Sequence, residues 1–182
     1  AMYLEKHLKK HKDVFEIYLV NRENYFVFQP MLAEVVGGSL DLLDTINPLR
    51  KLLPKTHLYV REVDAIDLER KQIILSPKYS HTPTEVRYDH LVLALGNVTD
   101  FRGTAGLHEH ALPFKNLADS IVIRNQVIDV LESAACEEDP ALKQKLLTFV
   151  VGGGGFSGTE VVAEVNDLVH KLSKQYPSIH HE

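Results

Sequence analysis

The glycines of one short turn are the residues whose spacing is best suited to chemistry. Gly153, Gly155 and Gly158 have the spacing Gly-x-Gly-x-x-Gly, and Glu160 follows them. Glycine at these places permits a tight turn, a close approach of the backbone to a pyrophosphate, and close packing of the next helix. The phosphates then bind to the free N–H groups at the positive end of that helix. The turn therefore predicts a dinucleotide site, in which the extra glycine Gly152 has no assigned role.

The segments on either side of the turn provide the context that this motif requires. Before it, Leu146–Val151 is an apolar run typical of a buried strand. After it, Val161, Val165, Leu168 and Leu172 recur at helical spacing and predict an amphipathic helix. A Gly-x-Gly-x-x-Gly string between a strand and a helix is a far more specific signal than the string alone. The context therefore favours a nucleotide site over a ligand-free glycine connection.

Two other enzyme classes use a similar turn between a strand and a helix. A P-loop needs a Lys-Ser or Lys-Thr pair after the last glycine, and Thr159-Glu160 stands there instead. An α/β-hydrolase presents its nucleophile in the pattern Gly-x-Ser-x-Gly. Gly155 and Ser157 match that pattern, but Thr159 replaces the final glycine. A P-loop is excluded, and a hydrolase that uses Ser157 is kept as the less favoured alternative.

Segments ahead of the turn predict an α/β fold. Leu4–Leu8 has the spacing of a helix. Asn47 as the N-cap, with Pro48 at the first helical position, predicts the start of a short helix. Asn116 is predicted to cap a longer helix with Asp119 in its first turn. The predicted strands are rich in β-branched and aromatic residues and comprise Val14–Val20, His57–Val63, Lys71–Leu75, Glu85–Tyr88 and His90–Leu95. The last of these is almost unbroken in its apolar character, which predicts burial on both faces.

The composition narrows the classes of function. The 182 residues are 45% hydrophobic and 25% charged, as in an ordinary globular protein. The net charge of −5 argues against nucleic-acid binding, which usually needs a clustered basic face. The single cysteine, Cys136, permits no internal disulfide and favours a reduced, intracellular location. His108, His110, His180 and His181 lack a further ligand at metal-site spacing, so no metal site is predicted. No apolar run approaches the ~18–20 residues of a membrane span.

Three segments resemble the type II NADH dehydrogenase family, within the wider superfamily of FAD- and NAD(P)-dependent pyridine nucleotide oxidoreductases. Val20–Leu32 is similar to the segment after the second strand of the family's flavin domain, with its aromatic-Pro-Leu pattern. Tyr88–Gly96 resembles the family's Tyr-Asp-x-Leu-Val-x-Ala-x-Gly strand, which leads past the flavin. Leu147–Glu164 resembles the NADH-binding turn and helix. These segments occur in the family's order and together cover most of the chain.

The resemblance implies an α/β protein with Rossmann-like FAD/NAD(P)-binding domains of three-layer sandwich type, incomplete at both ends. Residues 1–115 would be part of the FAD-binding domain and residues 116–182 the start of the NAD(P)H-binding domain. Hydride would pass from NADH to FAD, and electrons would continue to a quinone-type acceptor. NADPH as the donor is not excluded, and a homodimer is left open. Because a lone cysteine cannot relay electrons through a disulfide, direct transfer from flavin to acceptor is implied.

The resemblance also carries roles to matching positions. Asn21 matches the residue that binds the FAD adenosine ribose, usually an acid, and an amide there is a weaker acceptor. Arg22 lies beside it, where a surface role explains it equally well. Pro30 matches the proline of the loop near the flavin, and Val63 the backbone position beside the adenine. Glu160 matches a catalytic glutamate near nicotinamide and flavin, although an acid there could also favour the helix dipole. The other predicted cofactor contacts are Ala94, Leu95 and Gly96, beside the flavin, and Gly153, Gly155 and Gly158.

Several parts of the family pattern are missing from the sequence. No Gly-x-Gly-x-x-Gly turn occurs before Leu4, where the first phosphate cradle would be. The acid that prefers NADH over NADPH, about 20 residues beyond the turn, would lie near or past Glu182. We therefore expect a fragment of a longer cytoplasmic protein, which would meet the inner face of the cell membrane only through absent segments. An incomplete, non-catalytic dinucleotide-binding fragment is the alternative to an enzyme.

Overall fold

The computed structural model of the chain describes residues 1–11, 14–79 and 81–179. These residues divide into two compact units. Unit 1 comprises Ala1–Phe26 and Ile46–Gly96, and unit 2 comprises Val27–Thr45 with the chain from Asn97 onward. The sequence-based boundary between residues 115 and 116 separates a predicted FAD-binding part from a predicted NAD(P)H-binding part. That division stays a prediction.

Helices and strands both contribute to the described residues. The α-helices are α1 (Met2–Leu8), α2 (Leu32–Gly37), α3 (Leu49–Leu52), α4 (Leu107–His110), α5 (Leu117–Cys136), α6 (Pro140–Leu146) and α7 (Phe156–Ser173). The strands are β1 (Tyr18–Asn21), β2 (Tyr25–Val27), β3 (Ile46–Pro48), β4 (His57–Val60), β5 (Val63–Asp67), β6 (Gln72–Leu75) and β7 (Thr84–Arg87). Short 3-10 helices occur at Lys9–His11, Gln29–Met31 and Leu42–Thr45. In the part of the chain that is described, no helix is both long and apolar enough to cross a membrane.

Unit 1 contains a parallel pair of strands. β1 runs beside β4 in a register that sets Tyr18 opposite His57 and Asn21 opposite Val60. Because parallel strands end at the same edge, Asn21 and Val60 are neighbours at that edge. The backbone N–H of Arg61 continues the pairing by donating to the carbonyl of Asn21 at 3.0 Å. Ligands of open α/β sheets bind outside the carboxyl ends of the strands, so this edge is the relevant one for function.

Unit 1 also contains an antiparallel sheet in the order β5-β6-β7. Ile73 and Leu75 of the central strand and Val86 of β7 are buried and form its core. The strands predicted at Lys71–Leu75 and Glu85–Tyr88 are therefore confirmed, with ends shifted by one residue. β5 is not predicted from the sequence, because the aspartates within it are unfavourable in strands.

Unit 2 is built on the packing of α2, α5 and α7. Val36 of α2 and Leu131 of α5 are fully buried in the core that these helices share. On α7 the buried residues are Val161, Val165 and Leu168, as the helical spacing predicts. The apolar stripe thus seats the helix that follows the glycine turn.

Two predicted strands, His90–Leu95 and Leu146–Val151, are wrong for the described structure. Neither segment pairs with another strand, and Val92 and Val150 are 79% and 87% exposed. A strand forms only where a neighbour accepts and donates its backbone hydrogen bonds, and burial on both faces needs covering elements. No such neighbour is among the described residues of either unit. The apolar composition of these two segments therefore predicts neighbouring strands and covering elements that the described residues do not supply.

Smaller differences concern the ends of elements. The strand predicted at Val14–Val20 begins only at Tyr18. α3 follows Pro48, which itself precedes the helix and provides no side-chain cap, so the prediction of Asn47 as the cap is wrong. The cap at Asn116 is confirmed: its side chain accepts from the N–H of Asp119, whose carboxylate accepts from the N–H of Asn116.

Candidate functional site

The glycine turn ends directly at the N-terminus of α7. Gly155 is the residue before the helix, in an extended conformation with φ −77° and ψ −179°, and no side chain caps the helix. The first N–H groups of an α-helix have no partner within the helix, so they are available to a ligand. Gly153 has φ +129°, a conformation that a side chain would disfavour. The local geometry is therefore that of an anion-binding helix start.

Gly155 and Gly158 meet different surroundings. A Cβ atom added to Gly155 would meet no described atom within 4 Å. A Cβ atom added to Gly158 would collide with the backbone carbonyl oxygen of Gly153. Gly158 thus permits the close packing of α7 on the turn, while Gly155 borders open space. These are two of the three demands that the motif makes of glycine, and the binding of a cofactor there stays a prediction.

A cleft of about 330 Å³ opens in unit 2 beside the start of α7. Its lining residues come from three segments that are distant in sequence. They are Gln29, Pro30, Leu32, Ala33, Phe114, Lys115, Ser157 and Glu160. Two residues predicted for the site, Pro30 and Glu160, are thereby brought to one cleft. Its volume lies at the lower end of the ~300–1,000 Å³ typical of small-molecule sites.

Hydrogen bonds hold the walls of the cleft. The side-chain amide of Gln29 donates to the carbonyl oxygen of Lys115 at 3.4 Å. The carboxylate of Asp119 accepts from the N–H groups of Lys115 and Asn116 at 2.8 and 2.9 Å. Asp119 therefore positions Lys115 and, through the backbone, its neighbour Phe114, although it does not line the cleft itself.

Replacing Asp119 with alanine is expected to lower the free energy of unfolding by about 1 kcal/mol, because the capping box is lost. The N–H of Lys115 also loses its acceptor, so the wall of the cleft should loosen. Urea unfolding measures the first effect, and amide hydrogen exchange at Lys115 measures the second. Asp119→Asn is the control, since it keeps an acceptor oxygen; exchange at Lys115 that is equal in both variants would contradict the positioning role.

Glu160 lies beyond the first turn of α7, which carries no acidic residue. Helix dipole effects fall off within the first turn, so stabilisation of the helix is a weak explanation for this acid. Glu160 is exposed and lines the cleft together with Pro30. Its position therefore favours a role toward a ligand.

Ser157, the nucleophile of the hydrolase alternative, also lines the cleft. A serine nucleophile needs a base within hydrogen-bond reach. No histidine lines this cleft among the described residues, and the only carboxylate there is that of Glu160. Of the histidines considered as metal ligands, His180 and His181 lie outside the described residues. The described lining of the cleft therefore offers Ser157 no histidine base.

Unit 1 contains the other predicted cofactor contacts. Asn21 ends β1, and its side-chain nitrogen donates to the carbonyl of Glu23 at 2.8 Å. Arg22 follows it and is exposed. Val63 begins β5 and packs against the core of the antiparallel sheet, close in sequence to the carboxyl end of β4. The parallel strands thus set Asn21 at the edge where a ligand would be expected.

Ala94, Leu95 and Gly96 are exposed and lie in no strand. Leu95 is 77% exposed, and Gly96 has φ +72°, a conformation that favours glycine. The backbone at Gly96 is therefore one that glycine readily adopts, and the turn beside the flavin stays a prediction. The strand predicted to lead into it is not formed.

Sequence reasoning missed several residues of the cleft, above all Gln29 and Lys115. Their contact joins positions 86 residues apart, which no local pattern reveals. One signal was present: the capping box at Asn116 places the residues just before α5 in a defined loop. That signal predicts a rigid loop at Phe114 and Lys115. It does not reveal which residues the loop contacts.

Comparison with known proteins gives the family. The model of the family described as pyridine nucleotide-disulphide oxidoreductase matches residues 1–179. The chain belongs to that family. It is 33% identical over 177 residues to an external alternative NAD(P)H-ubiquinone oxidoreductase B4, mitochondrial, of Arabidopsis thaliana, with 91% of this chain covered. It is 30% identical over 175 residues to an external alternative NADH-ubiquinone oxidoreductase, mitochondrial, of Yarrowia lipolytica. The resemblance to type II NADH dehydrogenases is thereby confirmed.

Solved structures give the fold. The structure of NDH2 from Plasmodium falciparum in complex with NADH matches with a TM-score of 0.84 at 25% identity, over 93% of this chain and 36% of that chain. The Rossmann-like α/β fold is thereby confirmed. The chain spans 30% of the length of both the Arabidopsis and the Yarrowia relatives.

Proposed function

We propose that this chain is part of a FAD-dependent oxidoreductase. The enzyme passes hydride from NADH to FAD and electrons on to a quinone-type acceptor. The observation that carries the proposal is the open glycine turn at the start of α7 in the same unit as the cleft with Glu160. The names of the relatives, which are NAD(P)H- and NADH-ubiquinone oxidoreductases, support the same chemistry. NADPH is the second candidate donor.

The turn suits the pyrophosphate of NADH. The open space before Gly155 and the uncapped N–H groups of α7 provide room and donors for phosphate oxygens. A side chain at Gly155 would fill that space. The residues present therefore fit the phosphate end of the nucleotide.

The cleft suits a flat ring with a polar substituent. Pro30, Leu32 and Phe114 offer apolar surface, while Ser157 and Glu160 offer polar groups. The nicotinamide ring has this combination of a flat face and a carboxamide. Glu160 would accept a hydrogen bond from the carboxamide N–H₂ and so orient the ring. Bound FAD supplies the acceptor for two electrons; the chain's own contribution is to bind and orient the donor.

Unit 1 would contribute to the FAD side. The nitrogen of the Asn21 amide is engaged with Glu23, and its oxygen has no hydrogen-bond donor among the described residues. A carbonyl oxygen at the carboxyl end of a parallel strand can accept from a ribose hydroxyl. Asn21 therefore fits the adenosine ribose, with a weaker hydrogen bond than a carboxylate would make.

Location and assembly are part of the proposal. The relatives named here are mitochondrial, and their named acceptor, ubiquinone, is a lipid-soluble molecule. A protein with that acceptor must meet a membrane surface. The cytoplasmic location and the homodimer stay predictions, as does the use of further segments for membrane contact.

The experiment measures three properties of the purified chain in sequence. NADH binding is followed by the change in nicotinamide fluorescence, FAD retention by the flavin absorbance after dialysis, and turnover by NADH oxidation with a soluble quinone. We expect NADH binding that Glu160→Gln weakens, and that Ser157→Ala, which removes a neutral hydroxyl from the cleft, weakens less. Esterase activity that disappears in Ser157→Ala would overturn the proposal in favour of a hydrolase.

The non-catalytic alternative gives a different pattern. A chain that binds NADH but is colourless and inactive with FAD present would support the incomplete dinucleotide-binding fragment. A chain that is yellow and oxidises NADH supports the enzyme. If the folded chain does not bind NADH, both the enzyme and the dinucleotide-binding fragment are contradicted, because both assign NADH to the glycine turn.

A further inference from the structure

The cleft beside the start of α7 contains two side chains of opposite charge. Among its described lining residues, Lys115 is the only cation and Glu160 the only anion. Neither side chain makes a hydrogen bond or an ion pair with another residue in the described part of the chain. Lys115 is half-buried, and Glu160 is exposed. The cleft therefore offers a ligand one charged donor and one charged acceptor, both unengaged.

The position of Lys115 is fixed through its backbone. Its N–H donates to the Oδ2 atom of Asp119 at 2.8 Å, and its carbonyl oxygen accepts from the amide of Gln29 at 3.4 Å. These two bonds hold the residue in the wall of the cleft without using its ammonium group. Because taking an ammonium partly out of water costs free energy, an acceptor on a bound ligand would offset that cost.

The two charges restrict which ligand group complements the cleft. A carboxylate could accept from Lys115 but would be repelled by Glu160, and a cationic group would meet the reverse. A quinone ring has two acceptors and no donor, so it would leave Glu160 unpaired. A primary carboxamide both accepts, through its carbonyl oxygen, and donates, through its N–H₂ group. The charges therefore favour a carboxamide, and the apolar surface of Pro30, Leu32 and Phe114 favours a ring attached to it.

We propose that Lys115 determines the specificity of the cleft by donating to the carbonyl oxygen of the nicotinamide carboxamide. Glu160 accepts from the N–H₂ group, so the carboxamide is held at both ends and the ring is oriented in the cleft. This inference rests on the proposed function, which assigns the carboxamide to Glu160 alone. It adds a second residue and the opposite end of the group.

The first test is the affinity of Lys115→Met for two ligands, measured by titration calorimetry. Methionine keeps an unbranched apolar chain and removes the charge, and both backbone bonds of Lys115 remain available to it. We expect NADH affinity to fall about tenfold, the usual effect of losing a hydrogen bond to a charged group. ADP-ribose contains the pyrophosphate but no nicotinamide, so its affinity should not change. Lys171→Met, which removes an exposed charge at the other end of α7, is the control and should bind both ligands normally.

The second test assigns each end of the carboxamide to one residue. The reduced 3-acetylpyridine analogue of NADH keeps the carbonyl oxygen and has a methyl group in place of N–H₂. Lys115→Met should lower the affinity for this analogue by the same factor as for NADH. Glu160→Met should lower the affinity for NADH about tenfold and hardly affect the analogue, which has no N–H₂ group to lose.

The two ligands separate failure of this inference from failure of the proposed function. If Lys115→Met weakens ADP-ribose as much as NADH, the lysine serves the phosphates, and the carboxamide contact is overturned. Unchanged NADH affinity in Lys115→Met, or a loss for NADH that the acetylpyridine analogue does not share, overturns it as well. In these cases the unaltered chain still binds NADH, so the proposed function stands. If the folded, unaltered chain binds neither NADH nor ADP-ribose, the proposed function is contradicted and this inference with it.

Discussion

Replacing Gly155 with valine is expected to weaken NADH binding by about ten- to a hundredfold, equivalent to about 1.4–2.8 kcal/mol. The isopropyl group would occupy the open space before α7 and shield the uncapped N–H groups from phosphate oxygens. The fold should tolerate the change. The backbone at Gly155, with φ −77° and ψ −179°, is one that any residue can adopt. The free energy of unfolding should therefore fall by less than about 1 kcal/mol, the usual effect of a poorer residue at this helix position.

The measurement pairs an NADH fluorescence titration with urea unfolding of the same variant. Ala163→Val is the matched control, because it also introduces a valine, at an exposed position of α7 that does not line the cleft. It should leave NADH affinity unchanged. A folded Gly155→Val variant with normal affinity would remove the glycine turn from the site.

Local interactions account for the parts of the fold that the sequence predicted best. The capping box of Asn116 and Asp119 joins groups three residues apart, so its pattern is visible in the sequence. The stripe of Val161, Val165 and Leu168 follows from helical periodicity, and all three are buried as expected. Such features need no knowledge of distant partners.

Strands are a different case, because their stability depends on neighbours from elsewhere in the fold. Leu91 is partly buried against the core of the antiparallel sheet, whereas Leu93, two residues on, is 60% exposed. The apolar character of the segment is real, but periodicity cannot supply the strand that should lie beside it. The same argument applies to Val150 before the glycine turn.

In the candidate site, too, residues of a local pattern were predictable and contacts between distant segments were not. The glycines and Glu160 were predictable because the motif is contiguous. Gln29 and Lys115 were not, because their contact joins two loops that only the tertiary fold brings together. Sequence therefore located the glycine turn and Glu160 and left the walls of the cleft undefined.

Replacing Gly158 with alanine is expected to lower the free energy of unfolding by about 1–3 kcal/mol, the usual cost of overpacking. The new Cβ atom would collide with the carbonyl oxygen of Gly153 and lie 3.0 Å from its carbonyl carbon. Both atoms belong to the backbone, so no flexible side chain can move aside. The turn or the start of α7 must shift instead.

The sign of this effect discriminates between two explanations of the glycine. Gly158 lies within α7, where helix propensity alone favours alanine over glycine by about 1 kcal/mol. A glycine retained only by chance would therefore give a more stable alanine variant in urea unfolding. Gly155→Ala is the control, because its Cβ atom meets no described atom within 4 Å and should change stability little. If Gly158→Ala loses stability and Gly155→Val loses NADH affinity, two glycines three residues apart serve separate ends, one the packing of α7 and the other the ligand.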